Sequence, residues 1–285
     1  MNSPPPFTVF GDHVSDMKDV PEAMHSLIKR LDIDGILQHV KDIILKPNYV
    51  IAEDWHQGNT TSPLVIESVI QYVKAASPRA RVTIGEGGFT NETNRSFEIN
   101  GLPELCKKYG VGLIDFNSDD KVTIQIPGAK ALKGNVDIAR HAFECDCIIS
   151  LPALKTHTMA VTTLSMKNFM GTLSYKSIMH SRLHEKIVDL YSYFRAKSPF
   201  SIIDGTVGSE GSEIAGNPMN HGLLLASRDF VALDTVGSYL MGQDLAACKY
   251  LTIAEARGFG IATMKKITVQ GLDVEKNVKH YTPGS

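Results

Sequence analysis

The sequence predicts an α/β protein built on a mostly parallel sheet with helices on both faces. Three observations carry this. Short apolar runs of strand type alternate with stretches of helical spacing along the chain. The run at residues 147–151 is continuously apolar, as strands covered on both faces are. And 285 residues, 43% hydrophobic and 21% charged, are ample for one large core.

Taken in order, residues 8–10 read as a first strand and 20–40 as helical, broken near 32–35. Residues 42–45 form a strand stopped by Lys46 and Pro47. Ser62 suits an N-cap and Pro63 the first position of the helix LVIESVIQYVKAA. A strand at 81–84 ends in GEGG, and 102–109 is helical. Strands follow at 112–116 and 122–126, the second alternating enough to be antiparallel or an edge. Residues 136–143 read as a helix, 147–151 as a strand and 184–195 as a helix. The strand 200–203 ends at Asp204, where a loop rich in glycine and carboxylate begins. A strand at 222–226 leads to a helix at 230–241, with Asp229 near its N-cap. A helix at 245–257 and a strand at 266–269 complete a single domain, 1–276, and the tail 277–285 is expected to be loose. If successive strands run the same way, their polar ends share one rim.

The net charge of −2 offers no basic excess for nucleic acid or an anionic membrane. No apolar run reaches the roughly 20 residues that span a bilayer, and the first residues lack a signal-peptide pattern. Four cysteines read as reduced thiols of a cytoplasmic protein, Cys145 and Cys147 as core residues sharing a sheet face. The sequence leaves room for a homodimer.

Ligands of open parallel sheets bind outside the carboxyl ends of the strands. Those ends carry Lys46 and Asn48; Glu86, Gly87 and Gly88; Asn117 and Asp119; Lys155 and His157; and Asp204. A long aperiodic stretch after the central strand, from Lys155 to about residue 177, reads as a binding loop or short helix over the site, with Lys167 and Asn168 inside it. Three lysines on one rim suit a carboxylate or phosphate, and one desolvated lysine could act as a base. GEGG is neither a dinucleotide fingerprint nor a phosphate-binding Walker loop, but its glycines allow close backbone approach, with Glu86 as metal ligand or acid/base. Glu210 lies in the second glycine-rich loop, of a kind that lines sites. His180 and His184, spaced i, i+4, could share a helix face and a divalent metal. Asp234, inside an amphipathic helix, needs a partner if buried.

The string LPALKTH at 151–157, followed by MKNFMG at 166–171, resembles the central signature of the domain-of-unknown-function family 362. LKPN at 45–48, GEGG at 85–88, IDG at 203–205, Glu210-Gly211 and ASRDFVALD at 226–234 agree in order, so the resemblance runs from about residue 42 to 260. It implies an intracellular prokaryotic α/β protein. Many members carry an appended iron–sulfur module; this sequence departs there, lacking the cysteine runs, so no cluster is expected in this chain. Carried over by position, the resemblance marks Lys46, Asn48, Glu86, Lys155, His157, Lys167, Asn168, Asp204 and Asp234, with His180 and His184 competing for a further histidine place. Three functions follow as expectations. The first is an enzyme acting on a small anionic substrate. Lys155, His157, Glu86 and Lys167 would be catalytic, and Lys46, Asn48, Gly87, Gly88, Asn168, Asp204 and Glu210 would bind, with metal assistance optional. The second is a protein that holds or matures a cofactor or metal without turnover. The third is a redox subunit whose cluster lies on a separate iron–sulfur chain.

Overall fold

The computed structural model describes residues 7–89 and 92–285. Thirteen strands occur among the described residues: β1 (Thr8–His13), β2 (Asp42–Pro47), β3 (Arg81–Glu86), β4 (Gly112–Asp115), β5 (Lys121–Ile124), β6 (Val136–Ala139), β7 (Cys147–Leu151), β8 (Ala153–His157), β9 (Val161–Thr163), β10 (Ser201–Glu210), β11 (Asn217–Met219), β12 (Leu223–Ser227) and β13 (Thr268–Gln270). The helices are α1 (Val20–Arg30), α2 (Asp34–Leu37), α3 (Pro63–Ala76), α4 (Thr93–Ile99), α5 (Leu102–Tyr109), α6 (Arg140–Glu144), α7 (Ser165–Asn168), α8 (Leu183–Phe194), α9 (Phe230–Leu240) and α10 (Lys249–Ala256).

The main sheet runs β13-β1-β12-β10-β7-β2-β3-β4, with β11, β8 and β9 joined off this path. The segment β10-β7-β2-β3-β4 is parallel throughout. Strand β12 departs from the expected common direction, pairing antiparallel with both β10 and β1. No helix intervenes between β10 and β12, only β11, which folds back on β10, so the chain reverses without a crossover.

Alternation along the strands sends residues to two faces. Ile43 and Leu45 of β2 and Ile149 of β7 join the core beneath α1 and α3. Ile44 and Ile148 face the opposite core, under α8 and α10, and the helix α9 packs on that side over β12. The result is a large, mostly parallel sheet flanked by helices. Among the described residues no helix is long and apolar enough to cross a membrane. All four cysteines are buried free thiols. Cys145 and Cys147 pack into different cores rather than one face, because Cys145 precedes the strand.

Four further readings need correction. Residues 136–143 are not one helix: β6 pairs antiparallel with β5 in a separate small sheet, and only Arg140–Glu144 coil. The alternation Val136, Asp137, Ile138 is a strand pattern that also fits a helix over so few residues. The stretch after Asp204 is not a loop, since β10 continues to Glu210. Its glycines serve close packing: a Cβ on Gly208 would sit 2.6 Å from the Leu154 carbonyl oxygen. The long stretch after the central strand does carry a short helix over the site, α7, but it is not aperiodic, for it also contains the β8–β9 hairpin and two 3-10 turns. The tail is docked. Tyr281 is buried, its backbone oxygen accepts from Gln243 Nε2 at 2.8 Å, and Thr282 N donates to Glu210 Oε2 at 2.6 Å.

One topological detail positions the site. Strand β2 pairs with β7 as far as Pro47 and Leu151. After Pro152 the chain resumes as β8, which follows β10 instead of β2. The sheet therefore forks at its carboxyl edge. Thr61 occupies the fork: its hydroxyl donates to Leu151 O at 2.6 Å and accepts from Asn48 N at 2.9 Å.

Candidate functional site

A cavity of about 150 Å³ opens beside this fork. Its walls come from the turn after β2 (Asn48, Tyr49), the turn after β3 (Glu86, Gly87), the β8–β9 hairpin (His157, Thr163) and α7 with its following turn (Lys167, Asn168, Gly171). Lys176, His180 and Glu213 complete the polar part.

Glu86 ends β3 fully engaged. Lys46 Nζ donates to both its oxygens at 2.8 and 2.7 Å, Gly87 N at 2.7 Å and Tyr49 N at 3.3 Å. Lys46 is wholly buried and stands behind Glu86, outside the cavity wall. Burial pushes its ammonium down, against the opposing pull of Glu86. The pair is thus a neutral buttress. Asn168 braces it: Oδ1 accepts from Lys46 Nζ and Asn48 Nδ2, both at 3.2 Å, and Nδ2 donates to Lys46 O and Ser150 Oγ. Gly171 lies so close that a Cβ there would meet Glu86 Oε1 at 1.8 Å.

Helix α7 carries Lys167 into the cavity. Asp234 of α9 accepts from Ser165 N at 2.8 Å and Met166 N at 3.0 Å, tying down the start of α7. Its burial pushes the carboxyl up to about 7 in spite of those donors. Phe169, next in sequence, stacks on Phe194 at 5.0 Å and anchors the other end. Lys167 itself is 8% exposed. Among the described residues no acceptor lies within hydrogen-bonding or ion-pair distance of its Nζ. Burial drives it down to about 8; the Glu213 charge opposes this and Lys46 reinforces it. Two further buried groups on the same wall lack partners among the described residues, Asn48 Oδ1 and Thr163 Oγ1.

His157 presents one nitrogen. Its Nδ1 accepts from Met159 N at 3.0 Å and Ala160 N at 3.1 Å, so the proton of the neutral ring sits on Nε2. Burial, then the Lys167 and Lys155 charges, push its pKa far down and keep it neutral. Glu213 Oε1 lies 3.6 Å from Nε2, beyond hydrogen-bond length. In this tautomer His157 is a donor, not a base. Lys155, two residues earlier on the same face of β8, donates to Asn59 O at 2.9 Å and Glu213 O at 3.3 Å. It holds the Glu213 turn from behind the wall, with its pKa driven down to about 7 by burial and by Lys167.

The structure therefore brings Asn48, Glu86, Gly87, His157, Lys167, Asn168 and His180 to one cavity, with Lys46 and Lys155 just behind it. It places Gly88, Asp204 and Glu210 elsewhere. Gly88 N donates to Thr93 Oγ1 at 3.1 Å, packing the turn after β3 onto α4. Asp204 accepts from Ser62 N at 2.7 Å and from Thr206, joining α3 to β10. Glu210 holds the tail. The shared face for His180 and His184 does not form, because α8 begins at Leu183 and His180 lies before it. His184 Nδ1 accepts from Tyr250 N at 3.3 Å and stacks on the Tyr250 ring instead. Among the described residues no group of three His, Cys, Asp or Glu converges. With Glu86 saturated and Lys167 facing the cavity, the residues present do not fit a divalent ion held by protein side chains alone. Sequence reasoning missed Lys176, Thr163 and Glu213. Lys176 Nζ donates to Asn117 Oδ1 at 2.6 Å, and burial pushes it down. For Glu213, burial alone would raise the carboxyl, but donation from the Thr158 backbone and hydroxyl, with Lys167 nearby, holds it below the usual range.

Comparison with known proteins adds three findings. The model of the family described as Domain of unknown function (DUF362) matches residues 43–239. A thylakoid-associated protein, sll1697, of Synechocystis sp. is 26% identical over 227 residues, 76% of this chain and 68% of that one. The lactate racemase apoprotein from Thermoanaerobacterium thermosaccharolyticum superposes with a TM-score of 0.51 at 13% identity, over 85% of this chain. The chain spans 59% of that protein's length, and at this identity the likeness is one of fold.

Proposed function

We propose that this chain, which belongs to the DUF362 family, is an enzyme that takes a small carboxylate or phosphate into the cavity beside the fork and moves a proton there with Lys167. The observation that carries this is Lys167, a buried residue whose ammonium faces the cavity without an acceptor among the described residues. A desolvated cation without a partner is costly, so a fold that keeps one facing a cavity supports an anionic guest. Its pKa near 8 suits proton transfer close to neutrality. His157 Nε2–H is placed to donate to negative charge as it develops, as a neutral imidazole can. Asn48 Oδ1, an acceptor, calls for a hydroxyl or amino donor on the ligand, and the Thr163 hydroxyl serves either way. Glu86, Lys46 and Lys155 are positioning residues in this reading. The volume suits roughly ten water-sized groups, hence a small molecule.

Titration calorimetry of the whole chain with acetate, glycolate and inorganic phosphate at pH 7 tests the reading. At least one should bind, and Lys167→Met should weaken it by about tenfold to a hundredfold, the size of a lost charged hydrogen bond. Binding that survives Lys167→Met would refute the assignment. A second reading, a cofactor held by its acidic group without turnover, draws on the description of the fold neighbour as an apoprotein. It would show as a tightly held ligand in the purified protein.

A further inference from the structure

The cavity is graded from floor to mouth. The polar groups without partners among the described residues, Asn48 Oδ1, Thr163 Oγ1 and Lys167 Nζ, belong to buried residues. The mouth is apolar. Phe89, Met159 and Ile214 line the same cavity and are 59%, 48% and 43% exposed. Nine large apolar side chains are exposed among the described residues, and three of them line this one cavity. Single exposed apolar residues need no explanation, but a cluster around one cavity mouth does.

We infer that the ligand is amphiphilic: its anionic head sits at Lys167, and an apolar arm leaves the cavity between Phe89, Met159 and Ile214. This rests on the anion reading above and narrows it to a substrate class. Three features favour an arm of the ligand over a protein partner as the occupant. The apolar residues come from three separate turns, after β3, within the β8–β9 hairpin and after β10, and converge on a mouth rather than on a flat face. The same cavity takes in the buried Tyr49 and Leu183 along with the polar floor. The less buried polar groups of the lining are Lys176, Glu213 and His180; Lys176 is taken up by Asn117 Oδ1 and Leu173 O, and Glu213 by Thr158. A charged arm would lose hydration against this wall, whereas an alkyl or aryl arm gains by leaving water.

The test is a homologous series. Straight-chain 2-hydroxycarboxylates of three, four, six and eight carbons are titrated calorimetrically into the full chain at pH 7, below their aggregation concentrations. A half-buried methylene tightens binding roughly twofold, so five should tighten it about thirtyfold. The triple variant Phe89→Ser, Met159→Ser, Ile214→Ser, altered only at exposed positions, should flatten the series and leave the three-carbon acid bound as before. Affinity independent of chain length, with the short acid still bound through Lys167, would overturn this inference and spare the anion reading. A rising series that the triple variant does not flatten would also overturn it, since the arm would then lie elsewhere. Failure of every acid to bind would overturn this inference, and if inorganic phosphate failed as well the anion reading itself would fall.

Discussion

Replacing Lys167 by methionine should stabilise the protein while removing its ligand. The two side chains are similar in length, so the substitution deletes a charge and leaves packing nearly intact. The fall from an ordinary lysine value of 10.5 to about 8 corresponds to about 3 kcal/mol of folding free energy lost to holding the ammonium in the cavity wall. That figure is already net of the Glu213 attraction; methionine fills the wall differently, so a gain of about 1–3 kcal/mol is expected at pH 7. For a chain of this size that is a rise in melting temperature of roughly 2–6 °C.

The sign of the pH dependence follows from linkage. The folded chain holds Lys167 with a lowered pKa, so between about 8 and 10.5 it sheds this proton before the unfolded chain does. Wild-type stability should therefore rise over that window relative to Lys167→Met, and the advantage of the variant should shrink. The Lys167 charge also pushes Lys155 down, so removing it relieves Lys155 as well and adds to the advantage of the variant near pH 7. Carboxylate binding to the wild type should weaken over the same interval, as the ammonium is lost. Scanning calorimetry at pH 7, 8, 9 and 10 gives both quantities. A variant that melts lower than wild type at pH 7, or a difference that ignores pH, would show that Lys167 is partnered in the fold and would refute the reasoning.

Two more predictions concern the frame around Lys167. Gly171→Ala should drive a Cβ into Glu86 Oε1 and part the Lys46–Glu86 pair, destabilising the chain by about 3–5 kcal/mol in chemical denaturation; a loss below about 1 kcal/mol would mean the turn yields freely. Asp234→Ala removes the acceptor for Ser165 N and Met166 N and should cost about 1–3 kcal/mol. Because it frees the start of α7, it should also weaken carboxylate binding by about tenfold, so unchanged affinity would show that Lys167 is positioned by Phe169 packing alone.

Much of this was legible in the sequence because it depends on one rule. Parallel strands deliver their ends to one rim, and β2, β3 and the β7–β8 run did so, bringing Asn48, Glu86 and His157 together. The rule survives errors of a few residues in each boundary. It failed at β10, which runs on past Asp204, leaving that carboxylate inside the sheet as a cap for Ser62. Nothing local distinguishes Asp204-Gly205 from a strand ending in a turn; the difference lies in what approaches Gly205, here Leu223 and Leu154. The β8–β9 hairpin was hidden for a related reason. Ala153, Leu154, Lys155, Thr156 and His157 are all buried, so polar and apolar residues do not sort onto an inner and an outer face. Glu213 and Lys176 gave no signal, being single charges in polar stretches that long-range folding alone carries to the cavity.

Pairing of charges was the other quantity out of reach, and it decides the roles. Lys46, Lys155 and Lys167 look alike as lysines near strand ends, and all three are buried and pushed down. Lys46 is matched by a carboxylate 40 positions away. Lys155 has two carbonyl oxygens, from Asn59 and Glu213. Lys167 has neither, among the described residues. A buried charge that the fold itself satisfies is a structural element, and substituting it should cost stability by leaving its partners without donors. A buried charge that the fold leaves unsatisfied weakens the protein for as long as the cavity is empty, and stability returns when an anion arrives. That asymmetry, rather than burial or a lowered pKa alone, singles out Lys167 as the residue on which binding turns.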